Sequence, residues 1–543
     1  MNSSNMERFA TRTGVILVVS GSAVGLGNFL RFPGLAAKYG GGLFMIPYFI
    51  SMLLIGITVC WCEWTLGRYG GERGYNSSPG IFRAVSGRRG GQYFGIVALL
   101  IPIIIYMYYV YIESWCLGYA WYYLCGVFNS GPFATGEAVD YKNFFANHVG
   151  MGENGSVLAD GLNATVVCLL IAFAINFYLI YRGLSKGIET FCKIAMPALI
   201  FAAILVLIRV LTLGTPNPEL PEQNVSNGLG FMWNLKLPEG VTFWSWDNPL
   251  TDPEMWLEAA GQVFFSLSVG FGIVLTYSSY LRRKDDVVLS GLSASSTNVF
   301  CEVCLGGLIT VPAAFIFLGP ERVTEVAGSS IGLGFFTLPD VFERMQFGPL
   351  VGFVWFFLLF LAAVTSSISM LQPAIAFLEE GFNLGRRASV SILGLITVFG
   401  AFLVVYFSKD LIALDTMDFW VGTFLIFILG LIMVILFGWV IGIEKGMNEA
   451  HRGAHLRIPK VFNVIIKYVC PLYLVVIFIL FIWKKIYVGY AEEGSYVYNL
   501  LNHPDVHITV GFVAILAVFL GLMIYLAGKR WDQLRPIKEG EEI

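Results

Sequence analysis

A run of small, polar and charged residues interrupts the first apolar segment of this chain. Residues 21–33 read GSAVGLGNFLRFP and contain three glycines, an asparagine, an arginine and a proline. In hydrocarbon each unpaired backbone amide or carbonyl costs several kcal/mol, so irregular backbone at that depth occurs only where protein or a bound ligand satisfies it. The segment therefore predicts a broken membrane helix that holds a ligand.

The composition identifies a polytopic membrane protein, because 57% of the 543 residues are hydrophobic and 13% are charged. Apolar runs of about 20 residues are long enough to cross a hydrocarbon core of about 30 Å. We predict an all-α fold with twelve such spans, numbered in chain order. They cover residues 14–37, 42–67, 93–126, 164–181, 190–213, 255–281, 290–318, 348–378, 389–407, 411–442, 463–488 and 508–528.

The distribution of lysine and arginine predicts the orientation. These residues concentrate between spans 2 and 3 and in every second connection after that, which is typical of the cytoplasmic side. We therefore expect a multi-pass protein of the plasma (cell inner) membrane with both termini in the cytoplasm. We expect no nucleic-acid partner, because no basic domain is present. No nucleophile, base and orienting acid recur at usable spacing, so we do not expect an enzyme.

The sixth span repeats the anomaly of the first, since residues 262–272 read QVFFSLSVGFG. An offset of five helices inverts the second unit relative to the first, which is the inverted-repeat plan of secondary transporters, with the binding site between the paired broken helices. The predicted organisation is a cytoplasmic N-terminus (1–13), a first repeat of spans 1–5 (14–213), an extracellular loop (214–253), a second repeat of spans 6–10 (254–442), two extra spans (443–528) and a cytoplasmic tail (529–543).

Several motifs in this order resemble the neurotransmitter:sodium symporter family, and its bacterial amino-acid members most closely. Besides the two broken helices, they are YYVYIES at 108–114, Asn298, the segment 355–379 and DTMDFW at 415–420. The resemblance runs from about Ala10 to at least Trp420. It implies a sodium-coupled amino-acid symporter that works by alternating access, with the lipid bilayer and a small-molecule amino acid as its partners.

The resemblance also implies two sodium sites. The first would use Ala23, Asn28, Ser266 and Asn298 with the carboxylate of the substrate, and the second Gly21, Val24, Ala362, Thr365 and Ser366. Residues 362, 365 and 366 lie at i, i+3 and i+4 on one helix face, which supports the second site independently. The alternative is that the Thr and Ser hydroxyls only bond carbonyls within their own helix.

For the substrate, the resemblance implies that freed amides at Leu26 and Gly27 meet a carboxylate together with the Tyr109 hydroxyl, at a half-helix end whose dipole favours anions. The family's monoamine carriers have an aspartate where this chain has Gly25, so glycine there indicates an amino acid. A mainly apolar lining favours a neutral, hydrophobic one. The expected substrate-binding residues are Ala23, Gly25, Leu26, Gly27, Ile105, Tyr109, Phe265, Ser266, Ser268, Phe271, Ser366 and Met370.

Gates on both sides follow from the same resemblance. Arg31 and Asp418 would form the outer gate with Phe265 as a lid; a static buried pair is the alternative. Tyr280 and Glu380 stand where the inner network lies, but Met6 occupies the place of the family's arginine, with Arg8 nearby. We also expect Glu63 to bond the unwound backbone of span 1.

Glu302 lies four residues after Asn298, so both can face one site. Chloride-dependent relatives have a neutral residue there, and a fixed carboxylate can supply the negative charge instead. We therefore predict transport without chloride, with proton antiport left open; the alternative is a structural carboxylate. An amino-acid-gated channel or sensor, or a carrier of another small amino acid or osmolyte, are alternative functions. The preferred amino acid and the oligomeric state stay unknown at this point.

Overall fold

The computed structural model describes residues 11–128, 139–159, 161–235 and 248–534, together with Phe9 and isolated positions between 237 and 245. Within these ranges the regular structure is entirely helical. The predicted all-α fold class is confirmed.

Ten helices of the described residues are each long and apolar enough to cross a membrane. They match the predicted spans 2–5 and 7–12, although most extend further than predicted. Their bounds are Gly42–Glu72, Arg89–Cys125, Ala164–Tyr181, Leu184–Leu211, Val287–Leu318, Gly348–Phe382, Arg386–Tyr406, Lys409–Ala450, Val461–Tyr490 and Pro504–Gln533.

The two spans predicted to be broken are each divided in two. Span 1 consists of Thr13–Ala23 and Gly27–Lys38, bent by 51°. Span 6 consists of Pro253–Leu267 and Ile273–Ser279, and neither half alone has the length of a span. The breaks are therefore where the sequence placed them, while the total of twelve spans and the inverted repeat stay predictions.

The backbone of the second break depends on its glycines. Gly270 and Gly272 both have a φ of 76°, and Ser268 has a φ of 51°. A left-handed conformation costs an L-residue with a side chain about 1–2 kcal/mol, but costs glycine little. A Cβ on Gly272 would also lie 2.7 Å from the carbonyl oxygen of Ala98 in span 3. Glycine is therefore required at position 272 by both conformation and space.

The breaks of spans 1 and 6 lie against each other in the interior. The hydroxyl of Ser268 donates to the carbonyl of Ser22 at 2.9 Å, and the Gln262 amide donates to the carbonyl of Gly27 at 3.4 Å. Spans 3 and 8 pack along each other beside these breaks. Phe29, from the outer half of span 1, meets Trp355 of span 8 edge-on at 5.9 Å. The interrupted helices are thus enclosed by two continuous ones.

Candidate functional site

A cavity of about 360 Å³ lies between the two breaks. Residues of the connection between spans 7 and 8 contribute to its wall through Gly328 to Ile331. Its lining includes most of the predicted substrate residues: Ala23, Gly25, Leu26, Gly27, Tyr109, Phe265, Ser266, Ser268, Phe271, Ser366 and Met370. Ile105 lies outside this lining and is fully buried.

The freed backbone of span 1 meets span 3 at one side of this cavity. The amide of Leu26 donates to the Tyr109 hydroxyl at 3.3 Å, which leaves the hydroxyl its own hydrogen for a ligand. A Cβ on Gly25 would lie 2.9 Å from both the Tyr109 hydroxyl and the Ser366 Oγ. Glycine at position 25 therefore keeps open the space between two hydroxyls and the helix break.

The residues predicted for the first sodium site are gathered around Asn298, which is fully buried. One end of its amide lies 2.8 Å from the Asn28 amide nitrogen, 3.2 Å from the Ala23 carbonyl oxygen and 3.0 Å from the Ser266 carbonyl oxygen. With nitrogen at this end the amide donates to both carbonyls. With oxygen at this end three oxygens converge on one point, as the ligand set of a hard cation requires.

The second predicted set joins spans 1 and 8. The Ser366 hydroxyl lies 3.4 Å from the Gly21 carbonyl oxygen and 3.1 Å from the Ala362 carbonyl oxygen. The Thr365 hydroxyl lies 3.0 Å from the same Ala362 oxygen, and Val24 is fully buried nearby in the chain. The Thr365 and Ser366 hydroxyls thus bond a carbonyl of their own helix, as the alternative to a sodium site expects. The Gly21 carbonyl adds an oxygen from span 1.

Glu302 is fully buried and accepts three hydrogen bonds from neutral side chains. The donors are the Tyr48 hydroxyl at 2.5 Å, the Gln262 amide at 2.5 Å and the Ser266 hydroxyl at 2.7 Å. Ser266 Oγ also lies 2.5 Å from the Asn298 amide. The Glu302 carboxylate therefore lies one side chain away from the oxygen cluster at Asn298, on the face that its spacing predicts.

Glu63 has a different partner from the expected one. Its carboxylate accepts a hydrogen bond of 2.7 Å from the amide of Gly270, in the break of span 6. The sequence predicts a bond from Glu63 to the backbone of span 1. This prediction is wrong, because the hydrogen bond is to the backbone of span 6. The physical reason is that the left-handed turn at Gly270 frees an amide beside span 2, and a buried amide needs an acceptor.

The predicted outer-gate residues line the cavity mouth, but their charges have other partners. The guanidinium of Arg31 lies 3.6 Å from the Glu258 carboxylate and 5.0 Å over the Phe265 ring. Asp418 accepts a hydrogen bond of 2.6 Å from the Tyr108 hydroxyl. The expected ion pair of Arg31 with Asp418 is therefore not formed in this conformation, because each group is held on its own side of the mouth.

On the inner side, the two predicted residues are held by different segments. The Tyr280 hydroxyl accepts from the Gln372 amide at 3.0 Å, and Gln372 accepts from Arg386 at 3.2 Å. Glu380 accepts from the backbone amides of residues 76 and 77, at 2.6 and 2.8 Å, in the connection after span 2. Met6 and Arg8 lie outside the described residues.

Sequence reasoning missed several residues of this site, of which five have the clearest contacts. Tyr108 and Gln262 stand within the motifs that carry the resemblance, and Glu258 lies one turn before Gln262 as an acid within a span, which is a functional signal by itself. Ser22 adjoins two predicted ligands. Tyr496 lies in the connection between spans 11 and 12, where no pattern indicates a role, yet it lines the cavity.

Comparison with known proteins identifies the family. The model of the sodium:neurotransmitter symporter family matches residues 6–140 and 135–532. The chain belongs to this family. Its members are transporters, so the protein is a multi-pass, sodium-dependent membrane transporter.

Individual relatives cover most of the chain. An uncharacterised sodium-dependent transporter of Methanocaldococcus jannaschii is 28% identical, over 84% of this chain and 87% of its own length. A sodium-dependent nutrient amino acid transporter of Drosophila melanogaster is 25% identical, over 84% and 74%. The crystal structure of MhsT in complex with L-phenylalanine matches with a TM-score of 0.72 and 26% identity, over 88% of this chain and 99% of MhsT.

We predict that Tyr108→Phe destabilises the protein more than Tyr111→Phe. Both tyrosines are buried in span 3, but the hydroxyl of Tyr108 donates to the Asp418 carboxylate and that of Tyr111 to the carbonyl of Val149. Bonds to charged groups contribute about 1.5–3 kcal/mol and neutral ones about 0.5–1.5 kcal/mol. Apparent melting temperatures in detergent measure the difference; an equal or larger loss in Tyr111→Phe contradicts the prediction.

Proposed function

We propose that the protein is a symporter that couples sodium ions to the transport of neutral, hydrophobic amino acids by alternating access, without chloride. The observation that carries this proposal is the position of Gly25 between Tyr109 and Ser366. Free space beside two hydroxyls and a broken helix suits a carboxylate, whereas a charged side chain at position 25 would suit an amine without one.

The lining of the cavity supports the choice of a hydrophobic side chain. Phe265, Phe271 and Met370 lie on its wall, and Ile112 adds an aliphatic surface. Apolar walls with a few polar groups are typical of sites that orient a small ligand by its polar end. The presence of L-phenylalanine in the MhsT structure, and the name of the insect nutrient amino acid transporter, agree with this substrate class.

The coupling follows from shared ligands. In the first site the substrate carboxylate would complete the oxygens of Ala23, Asn28, Ser266 and Asn298, so sodium and amino acid bind together. In the second site the carbonyls of Gly21, Val24 and Ala362 and the hydroxyls of Thr365 and Ser366 would hold an ion between spans 1 and 8. An ion at that place favours the arrangement in which the inner half of span 1 packs on span 8.

We place the protein in the plasma (cell inner) membrane with both termini in the cytoplasm. Arg68, Arg83, Arg386 and Lys445 all lie in connections of the predicted cytoplasmic side, in agreement with the excess of positive charge there.

Transport itself is tested in proteoliposomes. We expect an inward sodium gradient to drive accumulation of labelled L-phenylalanine, and unlabelled L-phenylalanine outside to drive counterflow. Phenethylamine, which lacks the carboxylate, should not compete. Gly25→Ala should weaken uptake about ten-fold, because overpacking a filled site costs about 1–3 kcal/mol.

Gly511→Ala is the matched control, since a Cβ there meets no atom within 4 Å. Flux without counterflow would indicate the channel alternative, and sodium-dependent binding without flux would indicate a sensor. If neither L-phenylalanine nor any other neutral amino acid competes, the proposed substrate class is wrong.

The second sodium site is tested with a pair of threonines. Thr365 and Thr397 both bond carbonyls of their own helix, at 3.0–3.2 Å and 2.9–3.2 Å, but only Thr365 lies beside the break of span 1. We expect Thr365→Val to raise the sodium concentration for half-maximal thermal stabilisation about ten-fold. This corresponds to a loss of about 1.4 kcal/mol in the free energy of sodium binding. Thr397→Val should leave it unchanged; equal effects would support the alternative that the hydroxyl acts only within its helix.

The role of Glu302 predicts independence from chloride. Because a carboxylate lies one side chain from the first sodium set, an additional anion is not required there. Sodium-driven uptake should keep its rate when chloride is replaced by gluconate on both sides of the membrane. A collapse of uptake in gluconate would show that Glu302 does not supply the negative charge.

A further inference from the structure

Tyr496 is the first residue of a short helix, Tyr496–Asn502, in the connection between spans 11 and 12. It lines the main cavity and also a side cavity of about 120 Å³ that adjoins it. Spans 11 and 12 lie outside the predicted repeats, so the expected transport machinery does not include this connection. The structure nevertheless brings one of its side chains to the cavity mouth.

The ring of Tyr496 stacks on the ring of Phe419 with a centroid distance of 3.8 Å and an angle of 7° between the planes. Phe419 directly follows Asp418 in span 10 and also stacks on Phe481 of span 11 at 5.3 Å. Offset-stacked and edge-to-face aromatic pairs contribute about 0.5–1.5 kcal/mol beyond their buried area, so a nearly face-to-face pair gains at most that much. Three rings from three segments therefore form one wall next to the Asp418 carboxylate.

The helix that carries Tyr496 is held in place. Ser495 accepts a hydrogen bond of 3.2 Å from the amide of Tyr498, and Val497 is buried. A serine at this position satisfies an amide of the first helical turn, which otherwise lacks a partner. Tyr496 itself remains 38% exposed and lines the cavity, although its ring stacks on the buried Phe419.

The surroundings of Tyr496 are those of the outer gate. The side cavity is lined by Tyr496 together with Arg31, Glu258 and Asp418. Lys485 of span 11 also lines it. Burial and the carboxylates of Asp415, Asp418 and Glu258 raise the pKa of Tyr496, while Arg31 lowers it. The phenol is thus neutral and lies close to the charges of Arg31, Glu258 and Asp418.

We propose that Tyr496 is an additional outer-gate residue, which covers the Asp418 side of the cavity mouth through its stack on Phe419 and slows the escape of bound amino acid. This inference rests on the proposed transport of amino acids. The stack keeps span 10 and the loop together, so the side of the mouth opposite Arg31 moves as one wall. The alternative is that Tyr496 only packs against span 10 and does not affect passage.

The test compares Tyr496→Ala with Tyr496→Phe, which keeps the stack, and with Tyr490→Ala, which removes an exposed tyrosine at the end of span 11 that lines neither cavity. Loss of a stack of 0.5–1.5 kcal/mol corresponds to a change of about 2- to 12-fold. We expect Tyr496→Ala to release bound, labelled L-phenylalanine about 2- to 12-fold faster in saturating sodium. The other two variants should release it at the rate of the unchanged protein.

A second measurement requires no amino acid. In an Ile112→Cys background the cysteine lies on the cavity wall, and a membrane-impermeant thiol reagent added from outside reports access to it. We expect Tyr496→Ala to raise the modification rate by the same 2- to 12-fold, relative to Tyr496→Phe and Tyr490→Ala. The protein without the introduced cysteine measures the contribution of the native cysteines.

The outcomes separate this inference from the proposed function. If the unchanged protein does not bind L-phenylalanine, the substrate proposal fails, while the thiol measurement still decides the role of Tyr496. Equal rates in Tyr496→Ala and Tyr490→Ala overturn the gate assignment. A melting temperature lowered in Tyr496→Ala, together with unchanged release and modification rates, also overturns it and indicates packing alone.

Discussion

The structure depends on the satisfaction of backbone groups at two helix breaks in the interior of a membrane protein. Each break frees amides and carbonyls that hydrocarbon cannot satisfy. Other spans supply the partners: the Tyr109 hydroxyl meets the amide of Leu26, and the Glu63 carboxylate meets the amide of Gly270. These partners are side chains of other spans and not the hydrogen-bond ladder of a helix. The other backbone amides and carbonyls at the breaks can therefore bind a ligand without loss of the fold.

The carboxylate of Glu302 organises the side of the site where spans 1, 6 and 7 meet. Its three donors leave it inside a shell of neutral hydrogen-bonding groups. Ser266 belongs both to that shell and to the oxygen cluster at Asn298, so a positive ion at Asn298 lies within reach of a fixed negative charge. Attraction between such groups is much stronger in the protein interior than in water. Under the proposed function, this arrangement would favour a cation before the substrate adds its own carboxylate.

The cavity mouth shows why gating residues are hard to assign in pairs. Arg31 has two carboxylates within its range of movement, Glu258 and Asp418, and in this conformation it lies against Glu258. Asp418 is held by Tyr108 on the other side. A pair that is partly exposed contributes little energy, so exchange between two partners costs little. A weakly held charge suits the gating role that the sequence predicts for Arg31.

The sequence alone determined which spans are broken, which oxygen-bearing residues lie on which helix faces, and that position 25 has no side chain. These properties follow from local rules: glycine permits left-handed turns, and a period of 3.6 residues places 362, 365 and 366 together. Only the tertiary structure decided that Glu63 serves span 6, that Arg31 meets Glu258 and that Tyr496 reaches the cavity. Periodicity defines the face of a helix, but the neighbour of that face depends on how helices hundreds of residues apart are rotated and shifted against each other. That packing is set by the whole core at once, so no single segment encodes it.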